Sequence, residues 1–337
     1  MKNIQHFDAV VIGTGITGLC TALHLARWGR SVALLESQSY PVNATLCSGA
    51  GVRFFDPKPQ IMEWVHESHA FYQALGAICT PAPALYCLDE DADPQILEEA
   101  RVRGFHTHTA KGLKAYYPEC SWSASALAIA DPDAGFYDPR HVRQVILDAC
   151  RHHQVHIAFA EPVIELQVGT CHQVLTPNGC YSTDHVVFAC GYWSAELLKQ
   201  LGLPIQSRNR TVTVHYLDNA ATVPFVVEHC SGFHMRSTVN GGVLFGLPQL
   251  DFDVPATQLP DRSETHDTAA LKHLRRYLPL LPDQIVGMRT VRSADAWPLT
   301  NLASALPHNV HHLAFGQGSS FKYTPAATLA YLDQHLR

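Results

Sequence analysis

The feature that most constrains the fold is a glycine-rich turn that joins an apolar segment to a helical one near the start of the chain. Asp8 to Ile12 is a short apolar run suited to a buried parallel strand, and Gly13, Gly15 and Gly18 follow in the pattern G-x-G-x-x-G. The first glycine permits a tight turn, the second lets a pyrophosphate approach the backbone, and the third lets a helix pack closely. The N–H groups that begin the helix would point at the phosphates. The predicted phosphate-binding residues are Gly13, Gly15, Ile16, Thr17 and Gly18.

An acidic residue ends the next predicted strand at a distance typical of dinucleotide-binding proteins. Ser31 to Leu35 is the predicted strand, and Glu36 follows about 20 residues after the glycines, where a carboxylate can accept the hydroxyl groups of an adenosine ribose. We include Ser37, its neighbour, in the predicted site. An ordinary glycine turn is the alternative. The strand, turn, helix and acid together predict a dinucleotide-binding domain with a doubly wound α/β fold.

Composition excludes several classes of protein. With 337 residues, 47% of them hydrophobic and 16% charged, the chain can form two globular cores or one large core. A formal net charge of −6 and the lack of a basic run argue against a nucleic-acid partner. No apolar run is long enough for an integral membrane segment, and no signal peptide precedes the first strand. We expect a cytoplasmic protein, with peripheral attachment to the inner face of the membrane as the alternative.

Cysteines and histidines are numerous but have no metal-binding spacing. None of the ten cysteines forms a C-x-x-C pair, so we expect reduced thiols. The chain has 21 histidines, and in the adjacent pairs His152-His153 and His311-His312 the two rings would point apart. His106 and His108 have no third ligand nearby in sequence. We therefore predict no metal site.

The segments after the first domain unit alternate between helix and strand patterns. A long polar loop follows Glu36 and ends in Gly-Val-Arg-Phe, unlike an ordinary nicotinamide-binding domain, which continues into a crossover helix. Ile61 to Leu75 is a predicted amphipathic helix. Prolines interrupt the patterns from Thr80 to Asp133, which suggests that a second domain begins there. Residues 208–250 favour strands, with a hairpin across Asn240-Gly241.

Four segments spread over the chain resemble the D-amino-acid oxidase superfamily of FAD enzymes, with glycine oxidase, D-amino-acid dehydrogenase and monomeric sarcosine oxidase as the nearest-looking branches. They are the glycine fingerprint, TDHVVFACGYWSAELL, GMRTVRSADAWPLT and FGQGSSFKYTPAATLAYL. The resemblance implies a Rossmann-like, doubly wound and discontinuous FAD-binding domain with an inserted antiparallel-sheet substrate domain. The expected FAD-binding domain comprises 1–79, 134–206 and 286–337, and the substrate domain comprises 80–133 and 207–285.

The resemblance also implies where FAD would lie. The C-terminal glycine turn would close over the isoalloxazine ring, and backbone amides there suit the polar edge of a flavin. A turn without a ligand is the alternative. We expect non-covalent FAD, because no cysteine lies near the arginine segment or the flavin turn. The residues implied are Val163 at the adenine, Ala189, Cys190, Gly191 and Trp193 along the cofactor, and Gly316, Gly318, Ser319, Ser320, Phe321 and Lys322 at the flavin.

Basic residues are the candidates for holding the carboxylate of an amino-acid substrate. Arg289 resembles the arginine of the family's G-L-R-P segment, and Arg292 is an alternative because the spacing here departs from the pattern. Lys322 resembles the carboxylate-binding lysine of sarcosine oxidase, and Arg53 falls where that branch also has an arginine. Arg236 lies on a predicted roof strand. Each could instead be a solvated surface charge.

The predicted reaction is oxidative deamination of a small amino acid or N-alkyl amino acid, by hydride transfer to flavin N5 and with oxygen or a quinone as electron acceptor. No lysine occurs between Lys199 and Lys272, where the sarcosine-oxidase branch carries its oxygen-activating lysine, and this favours a dehydrogenase. Two alternatives remain open: an FAD-dependent 2-hydroxy-acid dehydrogenase, which would need a base such as histidine, and a non-catalytic flavin-binding subunit.

Overall fold

The structure is a computed structural model that describes residues 4–218, 222–258, 263–281, 288–300, 304–316 and 319–337. Within those ranges the helices are α1 (Ile16–Arg27), α2 (Ala44–Cys47), α3 (Pro59–Ala74), α4 (Pro94–Val102), α5 (Ala110–Tyr116), α6 (Pro139–His152), α7 (Ser194–Gln200), α8 (Glu264–Tyr277) and α9 (Thr324–His335). The strands are β1 (Ile4–Ile12), β2 (Val32–Leu35), β3 (Gly51–Val52), β4 (Cys79–Pro81), β5 (Ala84–Leu88), β6 (His106–Thr109), β7 (Leu127–Asp131), β8 (Gly135–Tyr137), β9 (His156–Ala158), β10 (Glu165–Gln167), β11 (His172–Leu175), β12 (Cys180–Phe188), β13 (Ser207–Leu217), β14 (Phe225–Glu228), β15 (His234–Ser237), β16 (Val243–Gly246), β17 (Pro248–Phe252), β18 (Met288–Pro298) and β19 (Val310–His312).

A seven-stranded sheet forms the centre of the nucleotide-binding part. Strand β1 runs parallel to β2 on one side and to β12 on the other, and β2 continues to β9. Ile12 pairs with both Leu35 and Phe188, so the carboxyl ends of three parallel strands meet at one edge. In open α/β sheets, ligands bind in the crevice outside this edge. The predicted doubly wound α/β fold is confirmed.

Helices cover the face of this sheet because their apolar sides match its buried residues. Leu19 and Leu23 of α1 are fully buried, and α1 packs on α6 and α9. The ring nitrogen Nε2 of buried His24 lies 3.1 Å from the carbonyl oxygen of Pro325, which joins α1 to the start of α9. The last helix therefore fixes the C-terminal turn that precedes it against the first helix of the fold.

A nine-stranded, largely antiparallel sheet forms the second part. Its order is β17-β13-β16-β15-β14-β5-β7-β6, and β18 pairs with β13 along eleven residues of each strand. The predicted hairpin is confirmed as β15 paired with β16. Strands from 80–133 and 207–285 both enter this sheet, but β18 also does, although we assigned 286–337 to the other domain. The domain boundaries remain a prediction.

The predicted amphipathic helix was placed correctly to within two residues at each end. The expected Ile61 to Leu75 helix is α3, Pro59–Ala74, with proline in its first turn, where the missing N–H costs nothing. Among the residues that the structure describes, no helix combines the length and apolar character needed to cross a bilayer.

Candidate functional site

The three glycines of the fingerprint meet different steric demands. Gly13 has φ +106°, and a Cβ there would lie 2.5 Å from the carbonyl oxygen of Ala189. A Cβ on Gly18 would lie 1.9 Å from the carbonyl oxygen of Gly13, so these two glycines are needed for the fold itself. A Cβ on Gly15 would meet only the Thr45 hydroxyl, at 3.5 Å. Gly15 therefore borders open space, which would let a ligand approach the backbone.

The carboxylate of Glu36 is held in place beside this turn. The backbone N–H and the hydroxyl of Thr14 donate to Glu36 Oε2 at 3.1 and 2.7 Å. The N–H of Gln38 donates to Oε1 at 3.1 Å. Glu36 is 9% exposed, so its orientation is set by these bonds and not by solvent. Sequence reasoning missed Thr14 because it occupies an unspecified position of the glycine pattern.

A cavity of about 760 Å³ extends from the glycine turn to the C-terminal turn, and its volume is in the range of about 300–1,000 Å³ typical of ligand sites. Gly18 packs beneath the turn, and Gly318 lies outside the described residues. Binding by any one residue remains a prediction. The predicted cofactor residues in the lining are Gly13, Gly15, Ile16, Thr17, Glu36, Ser37, Val163, Ala189, Cys190, Gly191, Trp193, Gly316, Ser319, Ser320, Phe321 and Lys322.

Lys322 lies in the cavity wall in a buried ion pair. Its Nζ is 2.8 Å from Asp56 Oδ2, and its side chain is 1% exposed. Burial, and then the nearby Arg53, lower the pKa of Lys322 to about 8, although Asp56 opposes this. Burial alone would raise the pKa of Asp56, but the ion pair with Lys322 lowers it overall. No sequence motif pointed to Asp56.

Arg53 and Arg236 are two buried cations of the wall that form no ion pair with any residue the structure describes. Arg53 is 8% exposed and donates to the carbonyl oxygen of Phe55 at 3.3 Å. Arg236 is 7% exposed and donates to the carbonyl oxygens of Ser237 and Gly49 at 3.0 and 2.8 Å. Burial lowers the pKa of Arg236 to about 10. Among the described residues, no carboxylate lies within 4.0 Å of either guanidinium.

The loop that carries Arg53 is fixed by a second buried carboxylate that the sequence did not reveal. Asp131 Oδ2 accepts the backbone N–H groups of Phe54 and Phe55 at 2.5 and 2.9 Å. Burial raises the pKa of Asp131, although these bonds, Arg53 and Lys322 oppose the change. The Arg53 backbone is thus held rigidly at the edge of the cavity.

The structure does not bring Arg289 or Arg292 into the cavity lining. Val291, Ser293 and Asp295 of β18 line it, and side chains alternate between the faces of a strand. Arg289 is on the same face but at the exposed strand end, where its guanidinium carbon lies 4.1 Å from the centre of the Tyr216 ring. Arg292 is on the other face, with Nη2 3.2 Å from Asp267 Oδ1.

Two cysteines border the cavity, although neither lies in the segments that we searched for a flavin link. Burial raises the pKa of both Cys47 and Cys190, which disfavours the nucleophilic thiolate. Non-covalent attachment of FAD remains a prediction.

A family model described as FAD dependent oxidoreductase, DAO, matches residues 8–332. The chain belongs to this family of FAD-dependent oxidoreductases. The described residues fit the cofactor, because Gly15 leaves open space at the turn and the first residues of α1, Ile16 and Thr17, line the cavity. The carboxylate of Glu36 reaches the same cavity. FAD is therefore the cofactor of this chain.

The chain is similar to curated proteins and to solved structures. It is 24% identical over 261 residues to rat mitochondrial dimethylglycine dehydrogenase, covering 71% of this chain and 30% of the relative. It is 24% identical over 221 residues to human peroxisomal sarcosine oxidase, covering 62% of this chain and 57% of the relative. The crystal structure of L-proline dehydrogenase from P. horikoshii superimposes with a TM-score of 0.80 at 20% identity, over 98% of this chain and 94% of that one. The chain thus spans about a third of one curated relative and about three fifths of the other. The similarity to the solved structure shows that the two chains share a fold.

Proposed function

We propose that this DAO-family chain oxidises a small amino acid, with an N-alkyl amino acid as the favoured substrate. The observation that carries the proposal is the pair of buried guanidinium groups, Arg53 and Arg236, in the cavity wall without a described carboxylate partner. Buried charges in proteins are normally paired, so this wall favours a ligand that brings its own anion. The names of the two curated relatives and the solved dehydrogenase specify dimethylglycine, sarcosine and proline, which are all N-substituted amino acids.

The arginines would bind the substrate carboxylate, since a planar guanidinium can hold a carboxylate by two parallel hydrogen bonds. Bound FAD supplies the two-electron acceptor for the substrate amine. Buried apolar side chains of the cavity, Phe225 and Leu244, would exclude water and contact a short alkyl group. Lys322 would add positive charge to the wall, but Asp56 already takes one of its hydrogen bonds. Arg289 lies outside the cavity lining, so it is not assigned to the carboxylate site.

A test compares two arginine variants of the FAD-loaded protein. We expect Arg236→Met to weaken binding of acetate, a carboxylate that cannot be oxidised here, by about 10- to 100-fold, because a charged hydrogen bond contributes about 1.5–3 kcal/mol. Perturbation of the flavin spectrum reports the binding. Arg289→Met is the matched control, since Arg289 lies outside the cavity lining, and should change acetate affinity less than about threefold. Equal acetate affinity in wild type and Arg236→Met would contradict the proposed carboxylate site.

One observation supports a second candidate, oxidation of a 2-hydroxy acid. His234 lines the cavity, and its Nδ1 lies 3.3 Å from the carbonyl oxygen of Gly232, which can only accept. Nδ1 would therefore carry the proton and Nε2 the lone pair of a base. Burial lowers the pKa of His234, which favours this neutral form.

The electron acceptor, oxygen or a quinone, is a further proposal, and the absence of a lysine between Lys199 and Lys272 favours a quinone.

A further inference from the structure

A second cluster of ligand-type side chains lies behind the cavity, between the nine-stranded sheet and α8. Arg210, Val212 and Val214 of β13 line the cavity, so the next side chain along this strand, His215, is on the opposite face. There it meets the first turn of α8. One ligand atom each from His215, His266 and Asp267 lies within 4.8 Å of the other two. His215 lies far in sequence from the adjacent residues His266 and Asp267, which is why the spacing of these residues gave no metal signal.

Hydrogen bonds on the far sides of both imidazoles leave their other ring nitrogens facing this cluster. His266 Nε2 lies 3.2 Å from the carbonyl oxygen of Leu247, which can only accept, so Nε2 carries the proton and Nδ1 the lone pair. His215 Nδ1 lies 3.2 Å from the Thr290 hydroxyl, which leaves Nε2 as the inner atom. Metal-binding histidines commonly make such a bond with the ring nitrogen that does not bind the metal.

Neither inner nitrogen has a hydrogen-bond partner in the described part of the chain, although both are buried. The side chain of His215 is 0% exposed, and its Nε2 lies 3.8 Å from Asp267 Oδ1, too far for a hydrogen bond. A buried polar atom left without a hydrogen bond destabilises the folded state, so two that face one carboxylate require a physical explanation.

We propose that His215 Nε2, His266 Nδ1 and a carboxylate oxygen of Asp267 bind a divalent transition-metal ion of the Zn²⁺ type. Two imidazoles and one carboxylate are ligands that Zn²⁺ accepts, with water completing a four-coordinate shell. The guanidinium of Arg292, 3.2 Å from Asp267 Oδ1, would orient the carboxylate from outside the shell. Its charge also limits affinity, so we expect micromolar and not picomolar binding. The ion would link α8 to β13, a strand that lines the cavity.

The test uses the FAD-loaded protein, cleared of metals with EDTA and titrated with ZnCl₂ by calorimetry. Because the chain has 21 histidines, weak surface binding must be separated from the site. We expect one tight equivalent in wild type, and at least tenfold weaker binding in His266→Gln. His311→Gln is the matched control, since His311 is another half-buried histidine, with Nε2 3.4 Å from His185 Nδ1. It should retain the tight equivalent. Zn²⁺ should also raise the melting temperature of wild type and His311→Gln, but not of His266→Gln.

X-ray absorption by the Zn²⁺-loaded wild type keeps the proposal testable if a variant does not fold. We expect a first shell with two imidazole nitrogens and oxygen donors. Absence of a tight equivalent, equal binding by His266→Gln, or a shell without two imidazoles would overturn the proposal. In each case, a buried water or a direct polar contact would be the occupant of the cluster.

Discussion

Lys322 Nζ lies 2.8 Å from Asp56 Oδ2, and this ion pair joins the C-terminal turn to the loop after β3. Both side chains are nearly buried, with 1% and 12% exposure. The lysine that resembles a substrate-binding residue is thus already engaged by the protein. The unpaired positive charge in the described cavity wall comes instead from Arg53 and Arg236.

The ion pair predicts a non-additive pattern of stability. Lys322→Met should lower the free energy of unfolding by about 3–5 kcal/mol, because it leaves a buried carboxylate without its partner. Asp56→Asn should do the same to the ammonium group. The double variant Asp56→Asn/Lys322→Met should cost much less than the sum of the two, since no buried charge remains unpaired. Urea unfolding of the FAD-loaded proteins measures all three. Additive losses would contradict the buried pair.

The low pKa of Lys322 predicts a pH dependence of anion binding. Below about pH 8 the ammonium group is charged and adds to the positive wall, and above it the charge is lost. Acetate affinity should therefore fall as pH rises through about 8, and this limb should be absent in Lys322→Met. The pKa of Lys322 in the folded state, about 8, lies below its ordinary value of 10.5. In the pH interval between these two values, the folded state therefore binds fewer protons than the unfolded state. The contribution of Lys322 to stability should thus increase with pH across that interval. An unchanged limb in Lys322→Met would assign the titration to another group.

Two glycines of one motif should respond differently to the same substitution. Gly15→Ala should leave the melting temperature nearly unchanged but weaken FAD binding, because the new methyl group enters the cavity and meets only Thr45 at 3.5 Å. Gly18→Ala should destabilise the fold, because its methyl group would lie 1.9 Å from the carbonyl oxygen of Gly13. Thermal unfolding of the FAD-free proteins and fluorescence titration with FAD separate the two effects. A loss of stability in Gly15→Ala that matches Gly18→Ala would count against this assignment.

Local patterns made the nucleotide-binding part predictable. The glycine turn, the helix after it and Glu36 lie within 36 residues, and each has a steric or hydrogen-bonding reason that one segment reveals. The helix α3 and the β15–β16 hairpin were predictable for the same reason.

The substrate end was less predictable because it depends on which face of a strand each side chain occupies. Arg289 and Arg292 are three residues apart, so they lie on opposite faces of β18, and the strand end that exposes Arg289 has no sequence signature. Asp56 forms an ion pair with Lys322, which is distant in sequence. Asp131 accepts hydrogen bonds from the loop of Arg53, which is also distant in sequence. From the sequence alone, neither carboxylate can be distinguished from a carboxylate on the surface.

The most direct test of the proposed function is an anaerobic titration of the FAD-loaded wild-type protein with sarcosine, N,N-dimethylglycine, L-proline, glycine and lactate, followed by the visible flavin absorbance. The account predicts that an amino acid bleaches the flavin band, with an N-alkyl amino acid most effective, and that lactate does not. Bleaching by lactate alone would favour the 2-hydroxy-acid reaction with His234 as base. A protein that binds FAD but is bleached by none of these compounds would contradict the proposed oxidation of a small amino acid.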